Sequence, residues 1–294
     1  MTEFKRNRGN IPVIFVSGEN LPEAWEKAML AVWNHGVDIL TEYEYPDRPP
    51  MSKDATVMVE VSNPFNEPRI HKNFQGGPED LERYRQEVVD GIHDHWIAPE
   101  EDKWEYTYHD RVCNYKGIDQ NDRLRNHKGI DQIEYIINKL LDAYYSRRAQ
   151  AITWIPAIDT QAYDSPCLQR IWCRLLPDEN DTLVLNMNTH WRSRDLYGAW
   201  FMNVYAITDL QRVIAERISA GLKQEIKIGR YMDISDSLHI YGKDFDRVAP
   251  EIEKMQHSSY QGRAWESTHP AFAAIIEETQ EKLRGDPDFM LTNH

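Results

Sequence analysis

Cys167 follows Ser165 and Pro166 and opens a stretch, residues 168–176, that reads as a strand. A thiol at a loop-to-strand junction can meet a ligand, whereas one inside a strand packs into a core. Nucleophilic chemistry through such a thiol needs its thiolate, which a neighbouring guanidinium favours. Arginines stand at two further element boundaries, in Arg147-Arg148 and in Arg192-Ser193-Arg194-Asp195. Two guanidiniums and a hydroxyl beside a helix start make a natural site for phosphate or carboxylate. Period-two alternation puts Ser237, His239 and Tyr241 on one face of a strand, where they could hold a sugar hydroxyl. Each piece alone has an ordinary structural alternative: a packed cysteine, a solvated charge run, a surface turn, the polar face of an edge strand.

These residues need elements to position them. Residues 21–35 are predicted to be a helix: Pro22 suits its first turn, Ala24, Met29, Leu30 and Trp33 recur at helical spacing, and Gly36 stops it. Residues 45–53 form a proline-rich loop and 55–61 a strand. A second helix spans 78–89, closed by Gly91. Residues 90–131 read as loop with short helical pieces. In 130–143, Ile130, Ile133, Ile136, Ile137, Leu140 and Leu141 make one amphipathic stripe. Residues 149–155, 168–176 and 182–189 are predicted strands, the last two joined as a hairpin by the turn at 177–181. The longest helix is expected over 203–220, a strand over 234–241, and closing helices near 246–255 and 270–283. Without βαβ regularity, this order predicts an α+β fold in a single domain over residues 1–294.

Bulk properties restrict the function. The 294 residues are 41% hydrophobic and 28% charged, ordinary for a globular chain. No apolar run approaches the roughly 18 residues of a membrane span. Lys5, Arg6 and Arg8 are not followed by an apolar stretch, so no signal peptide is read and a cytoplasmic location is expected. A net charge of −14 speaks against nonspecific binding of duplex nucleic acid, while leaving room for a small anion held by local arginines. The three cysteines, Cys113, Cys167 and Cys173, suggest no disulfide framework, and none lies in a CxxC pair, so no metal site is expected.

Taken in order, Gly129-x-Asp131-Gln132, Ser146-Arg147-Arg148, Trp154-x-Pro156, Pro166-Cys167, Arg192-Ser193-x-Asp195, Asn203 and His239-x-Tyr241 resemble the thymidylate synthase family in both sequence and spacing. The resemblance covers residues 130–245 well, 20–129 loosely and the C-terminus hardly at all. It implies a central mixed β-sheet flanked by helices and a homodimer formed through the sheet face, with shared active sites. It further implies a pyrimidine nucleotide monophosphate as substrate and 5,10-methylenetetrahydrofolate, or a related pterin, as one-carbon donor.

The resemblance also assigns roles. Cys167 would add to C6 of the base, making C5 nucleophilic. Arg192 and Ser193 would bind phosphate, with Arg147 and Arg148 supplied by the partner subunit. Asp195 would hold the pterin ring. Asn203, eight residues after Asp195, would read the base edge, offering one donor and one acceptor. His239 and Tyr241 would bind the sugar 3′-hydroxyl. Glu87 is the candidate for proton transfer, with Glu82 as runner-up. Tyr106, five residues before Arg111, fits the family tyrosine, with Tyr108 as an alternative. The loop arginine over the phosphate is Arg48, or Lys53 in its place.

Departures from the family pattern concern the later half of the reaction. Leu168 stands where the family has histidine, and Trp172 or a neighbour replaces its glutamine. If Trp96 is aligned correctly, His93 takes the place of the tryptophan that shields the one-carbon intermediate. The apolar C-terminal tail is replaced by Leu291-Thr292-Asn293-His294. These changes resemble the divergent archaeal-type branch and the pyrimidine nucleotide hydroxymethylases. The leading expectation is conversion of dUMP to dTMP. The alternatives are 5-hydroxymethylation of dUMP, dCMP or CMP, and a catalytically inactive nucleotide-binding homologue.

Overall fold

The structure is a computed structural model and describes residues 9–41, 51–101, 103–117 and 129–288. In chain order the elements are β1 (Val13–Gly18), α1 (Leu21–His35), β2 (Val37–Ile39), β3 (Ser52–Val61), β4 (Ile70–His71), α2 (Pro78–Asp90), α3 (Tyr108–Cys113), α4 (Gln132–Asp142) and β5 (Gln150–Ile152). They continue with α5 (Pro156–Asp159), β6 (Leu168–Pro177), β7 (Leu183–Trp191), β8 (Arg194–Asp195), α6 (Trp200–Leu222), β9 (Ile226–Ile240), α7 (Phe245–His257), β10 (Ala264–Trp265) and α8 (Pro270–Gly285). Among the described residues, eight strands form one mixed sheet in the order β1-β3-β9-β7-β6-β5, with β2 added on β3 and β8 on β9. The fold is α+β, as the order of elements predicts.

The chain divides into two compact units. The first comprises Met1–Gln75, His190–Val204 and Arg230–Ser267. In it β1 runs parallel to β3, and β3 antiparallel to β9. Asn20 caps α1 by accepting from the Glu23 amide at 3.1 Å. Leu21, Ala24, Trp25, Ala28, Met29 and Val32 are all fully buried, the stripe expected of an amphipathic helix. Glu26 interrupts that stripe. Its burial is compensated by His71 Nε2 at 2.8 Å and a two-point contact from Arg263 at 2.7 Å.

The second unit comprises Gly76–Thr189, Tyr205–Gly229 and Thr268–His294. Helix α2 starts at Pro78, with the Asp80 carboxylate accepting from the Gly77 amide at 2.8 Å, and ends at Gly91 in the left-handed region (φ 68°). Asp131 caps α4, whose Ile133, Ile136, Ile137 and Leu140 are buried. Gln132 staples this region: its amide nitrogen donates to the Arg111 and Ile152 carbonyls, and its oxygen accepts from the Ile152 amide.

The strands expected over 149–155 and 234–241 change most in length. Residues 149–155 shrink to β5, because the Ile155 amide turns to Asp159 and Pro156 opens α5. The strand predicted from 234 begins at Ile226, because Lys227, Gly229 and Arg230 hide its alternation.

Candidate active site

In the second unit the chemistry gathers around Cys167, which is half-buried at the start of β6. The next amide, of Leu168, donates to the Tyr108 hydroxyl at 3.4 Å. Tyr108 opens α3, and its ring lies 5.6 Å from that of Tyr106. Burial, with Tyr108, Cys167 and Asp164 nearby, pushes the Tyr106 phenol well above the usual tyrosine range. The Tyr106 phenol therefore stays protonated and available as a hydroxyl donor.

A buried ion pair supports this group. Arg111 meets Asp159 at two points, 3.0 and 2.7 Å, and donates to the Thr153 carbonyl at 3.0 Å. Its guanidinium lies 5.3 Å from the centre of the Tyr106 ring. Asp159 also accepts from the Ile155 amide at 2.6 Å, which fixes the Trp154-x-Pro156 corner.

A cleft of about 390 Å³ opens in the same unit, lined by Glu87, Trp104, Tyr106, Tyr108, Asp164 and their neighbours. Glu87 reaches it from α2. Glu82, the alternative carboxylate, is buried and held by Arg85 at 2.8 Å. His93 is completely buried, stacks on Trp96 at 3.6 Å and contacts Glu87 at 2.9 Å. Trp104, which sequence reasoning did not single out, supplies the indole wall of the cleft. Asp164 was also missed, although it lies only three residues before Cys167.

The other two cysteines differ. Cys173 is fully buried in β6, and burial pushes its thiol up to about 12. Cys113 is hydrogen-bonded to His109 at the end of α3. His109 also contacts Asp94 at 2.6 Å. Gly91 makes room for this pairing, since a Cβ there would stand 2.2 Å from the imidazole.

The corner at Arg147 and Arg148 is held through main-chain atoms. Trp172 Nε1 donates to the Arg147 carbonyl at 3.0 Å, the Tyr135 hydroxyl to the Arg148 carbonyl at 3.3 Å, and the Arg148 amide to Ser146 Oγ at 3.2 Å. Both arginines are exposed.

In the first unit, Asp195, Asn203, His239, Tyr241, Arg192 and Ser193 are supplied by β8, α6, β9 and adjoining residues. Strand β8 pairs parallel with β9, and Asp195 stands opposite His239. Asp195 Oδ1 accepts from the Tyr197 and Gly198 amides at 3.1 and 2.8 Å. Burial, with a contribution from Asp244, raises its pKa above the ordinary carboxylate value. A Cβ on Gly198 would stand 2.4 Å from Asp195 Oδ2, so this position keeps space for the carboxylate.

His239 is buried on an interior strand, contrary to the edge-strand alternative. Its Nδ1 lies 3.4 Å from Ser237 Oγ, which donates to Asp54 Oδ1 at 2.8 Å. Burial raises the pKa of Asp54. Tyr241 meets the His239 ring edge-on at 4.5 Å. Asn203 is half-buried in the first turn of α6, and its amide donates to the Ala199 carbonyl at 3.1 Å.

Of the two guanidiniums expected at 192–194, Arg192 is half-buried, with Ser193 beside it. Arg194 is buried, paired with Asp233, and stacked 3.6 Å from the centre of Trp191. It therefore serves the core. Lys53 is paired with Asp38 at 2.8 Å, and Arg48 lies outside the described residues, as does the 291–294 tail.

Comparison with known proteins places the chain in a family. The family model described as thymidylate synthase matches residues 73–268. Relatives bearing the name "Putative thymidylate synthase" include one from Methanosarcina acetivorans, 31% identical over 236 residues, covering 79% of this chain and 92% of the relative. One from Methanosarcina mazei is 30% identical over 237 residues, with the same coverage. Thermostable thymidylate synthase A from Bacillus subtilis shares the fold at a TM-score of 0.55 and 17% identity, over 80% of this chain and 84% of that one. Among the described residues, no helix is long and apolar enough to cross a membrane.

Proposed function

The chain belongs to the thymidylate synthase family, and we propose that it transfers a one-carbon unit to C5 of a pyrimidine nucleotide, converting dUMP to dTMP in the cytoplasm. The observation that carries this reading is the setting of Cys167: a half-buried thiol that, with Tyr108 and Asp164, acts on the buried Tyr106 phenol, in the unit whose cleft Glu87 enters.

Cys167 adds as thiolate to C6, and the electron pair released at C5 becomes the nucleophile for the one-carbon group. Glu87 takes and returns protons in the cleft. Elimination of the thiolate later restores the base. Arg192, Ser193 and the Arg147–Arg148 pair bind the phosphate, with Arg48 as a further phosphate ligand. His239 and Tyr241 bind the sugar, and Asn203 reads the base edge.

Asp195 suits a pterin. It is a half-buried acceptor carboxylate with one oxygen fixed by two amides, and the ring edge of a pterin presents N–H donors. When bound, 5,10-methylenetetrahydrofolate supplies the carbon and the hydride. The exposed guanidiniums on a corner fixed by its main chain support a homodimer in which they serve the partner's site.

The test is incubation with 5-fluoro-dUMP and methylenetetrahydrofolate, followed by mass mapping. A covalent ternary adduct on Cys167 is expected. Binding of dUMP without adduct or turnover would instead identify a nucleotide-binding homologue. A second reading, 5-hydroxymethylation of dUMP, dCMP or CMP, is favoured by one observation: Glu87, Lys103, Glu105 and Asp164 place charged groups around the cleft, and charged groups retain water. A methyl product with stoichiometric dihydrofolate excludes that reading; a hydroxymethyl product without dihydrofolate replaces the leading one.

A further inference from the structure

His93 touches two groups that accept hydrogen bonds. Its Nδ1 lies 2.9 Å from Glu87 Oε2, and its Nε2 lies 3.2 Å from the Pro287 carbonyl oxygen. A backbone carbonyl has no hydrogen to give, so Nε2 must carry one. The contact with Glu87 then needs a second proton. That proton sits either on Nδ1, facing an ionised carboxylate, or on Glu87, facing a neutral imidazole. In both forms the pair holds one transferable proton. Without the carbonyl, the ring could give its single hydrogen to the carboxylate and leave Nε2 bare, and the pair would hold one proton fewer.

The ring is built into place. It is fully buried, stacks on Trp96 with planes 10° apart, and meets the edge of Trp104 at 6.0 Å. The segment bearing Pro287 is pinned to the same turn: Asp288 Oδ1 accepts from Trp96 Nε1 at 2.6 Å and contacts His95 Nε2 at 2.9 Å. Ionisable groups on the neighbouring described segments include Glu87 on α2, Asp94 and His95 on its own turn, Lys103 and Glu105 flanking Trp104, and Asp288 after α8. Asp94 is engaged by Thr107 and His109. Among the described contacts, Glu87 is the carboxylate hydrogen-bonded to the His93 ring.

We propose that His93 is a positioning residue that keeps one transferable proton in its pair with the cleft carboxylate, and that the segment after α8 fixes this state through the Pro287 carbonyl. The inference rests on the reading of Glu87 as the proton-transfer group. The single transferable proton leaves through Glu87: where it starts on His93 Nδ1, that N–H bond breaks and the proton passes to the carboxylate, whose O–H bond then breaks as the nucleotide takes it, leaving Glu87 ionised and Nδ1 bare. The return of a proton from the nucleotide reverses these steps. The C-terminal segment thereby takes part in proton bookkeeping without touching substrate.

Nitrogen-15 NMR of the histidine-labelled full chain tests this directly, with the His93 signals assigned by their loss in His93→Gln. The expected result is an Nε2 that carries hydrogen and is protected from exchange, as its contact with the Pro287 carbonyl requires. Asp288→Ala should make that proton exchange faster. A bare Nε2 in the wild-type protein overturns the proposal whatever the variants do. In turnover, His93→Gln should lower kcat by about 10- to 100-fold, move the pH profile and leave the nucleotide KM nearly unchanged. His93→Gln and Glu87→Gln should be non-additive in the double variant. A wild-type pH profile in a folded His93→Gln protein also overturns it. If the wild-type enzyme forms no adduct with 5-fluoro-dUMP, the proposed function fails, while the nitrogen-15 result still decides the proton count.

Discussion

Asp195 and His239 stand opposite each other on the parallel strands β8 and β9, and the Leu196 amide beside Asp195 donates to the His239 carbonyl at 2.8 Å. The proposed pterin ligand and the proposed sugar ligand are thus fixed in one hydrogen-bond register. Displacing either side chain alone should separate their effects.

Gly198→Ala makes that separation. The new methyl would stand 2.4 Å from Asp195 Oδ2, a movable side-chain end, so the carboxylate shifts and the fold survives. Folding stability should change by less than about 1 kcal/mol. The KM for methylenetetrahydrofolate should rise by about tenfold, the worth of one hydrogen bond to a charged group. Calorimetric binding of dUMP should be unaltered; a weakened dUMP affinity would move Asp195 out of the pterin role.

Shared active sites can be tested by subunit exchange. Cys167→Ala and Arg148→Ala dimers should each be nearly inactive. Their mixture should recover up to about one quarter of wild-type activity, because half the dimers are hybrids with one intact site each. An active monomer on a sizing column excludes the arrangement.

His109 predicts a pH dependence of stability. Burial opposes its charge, but hydrogen bonds to Asp94 and Cys113 outweigh burial and push its pKa from 6.5 up to about 10. The folded protein therefore keeps a proton that the unfolded chain loses. The stabilisation is complete below about pH 6.5 and disappears as the pH rises to about 10. The gap in unfolding free energy between wild type and His109→Gln should shrink by roughly 2 kcal/mol or more between about pH 6 and pH 10 in urea titrations. A gap that widens with pH contradicts this account.

Asp159→Ala should leave Arg111 charged and buried without its carboxylate, since the two side chains are 0% and 6% exposed. A stability loss of about 3–5 kcal/mol is expected in urea unfolding. Asp159→Asn keeps the hydrogen-bond acceptor toward Ile155 and should lose less.

Periodicity made α1, α2 and α4 and the β6–β7 pair legible, because each buries one regular face. The order of the motifs made the family legible. Residue type alone could not tell that Arg194 is consumed by Asp233 while Arg192, two positions away, remains outside the core. The pairing of Glu87 with His93 was equally hidden. The two lie six residues apart, a spacing that does not align them on a helix, and the left-handed turn at Gly91 brings the chain back. Strand β1 escaped notice because its Val13 and Phe15 are exposed while Ile14 and Val16 are buried, so its apolar run gives no alternation.

The corner at Arg147 and Arg148 has a consequence for how this protein can change. The contacts from Tyr135, Ser146 and Trp172 all end on main-chain atoms, which every residue other than proline provides at 148. Conformation there is inherited from the neighbours, while charge and reach are set by two outward side chains alone. Variation at 147 and 148 is therefore uncoupled from folding. If the two arginines bind phosphate as proposed, a library randomised at these two codons would change anion preference without rebuilding the corner.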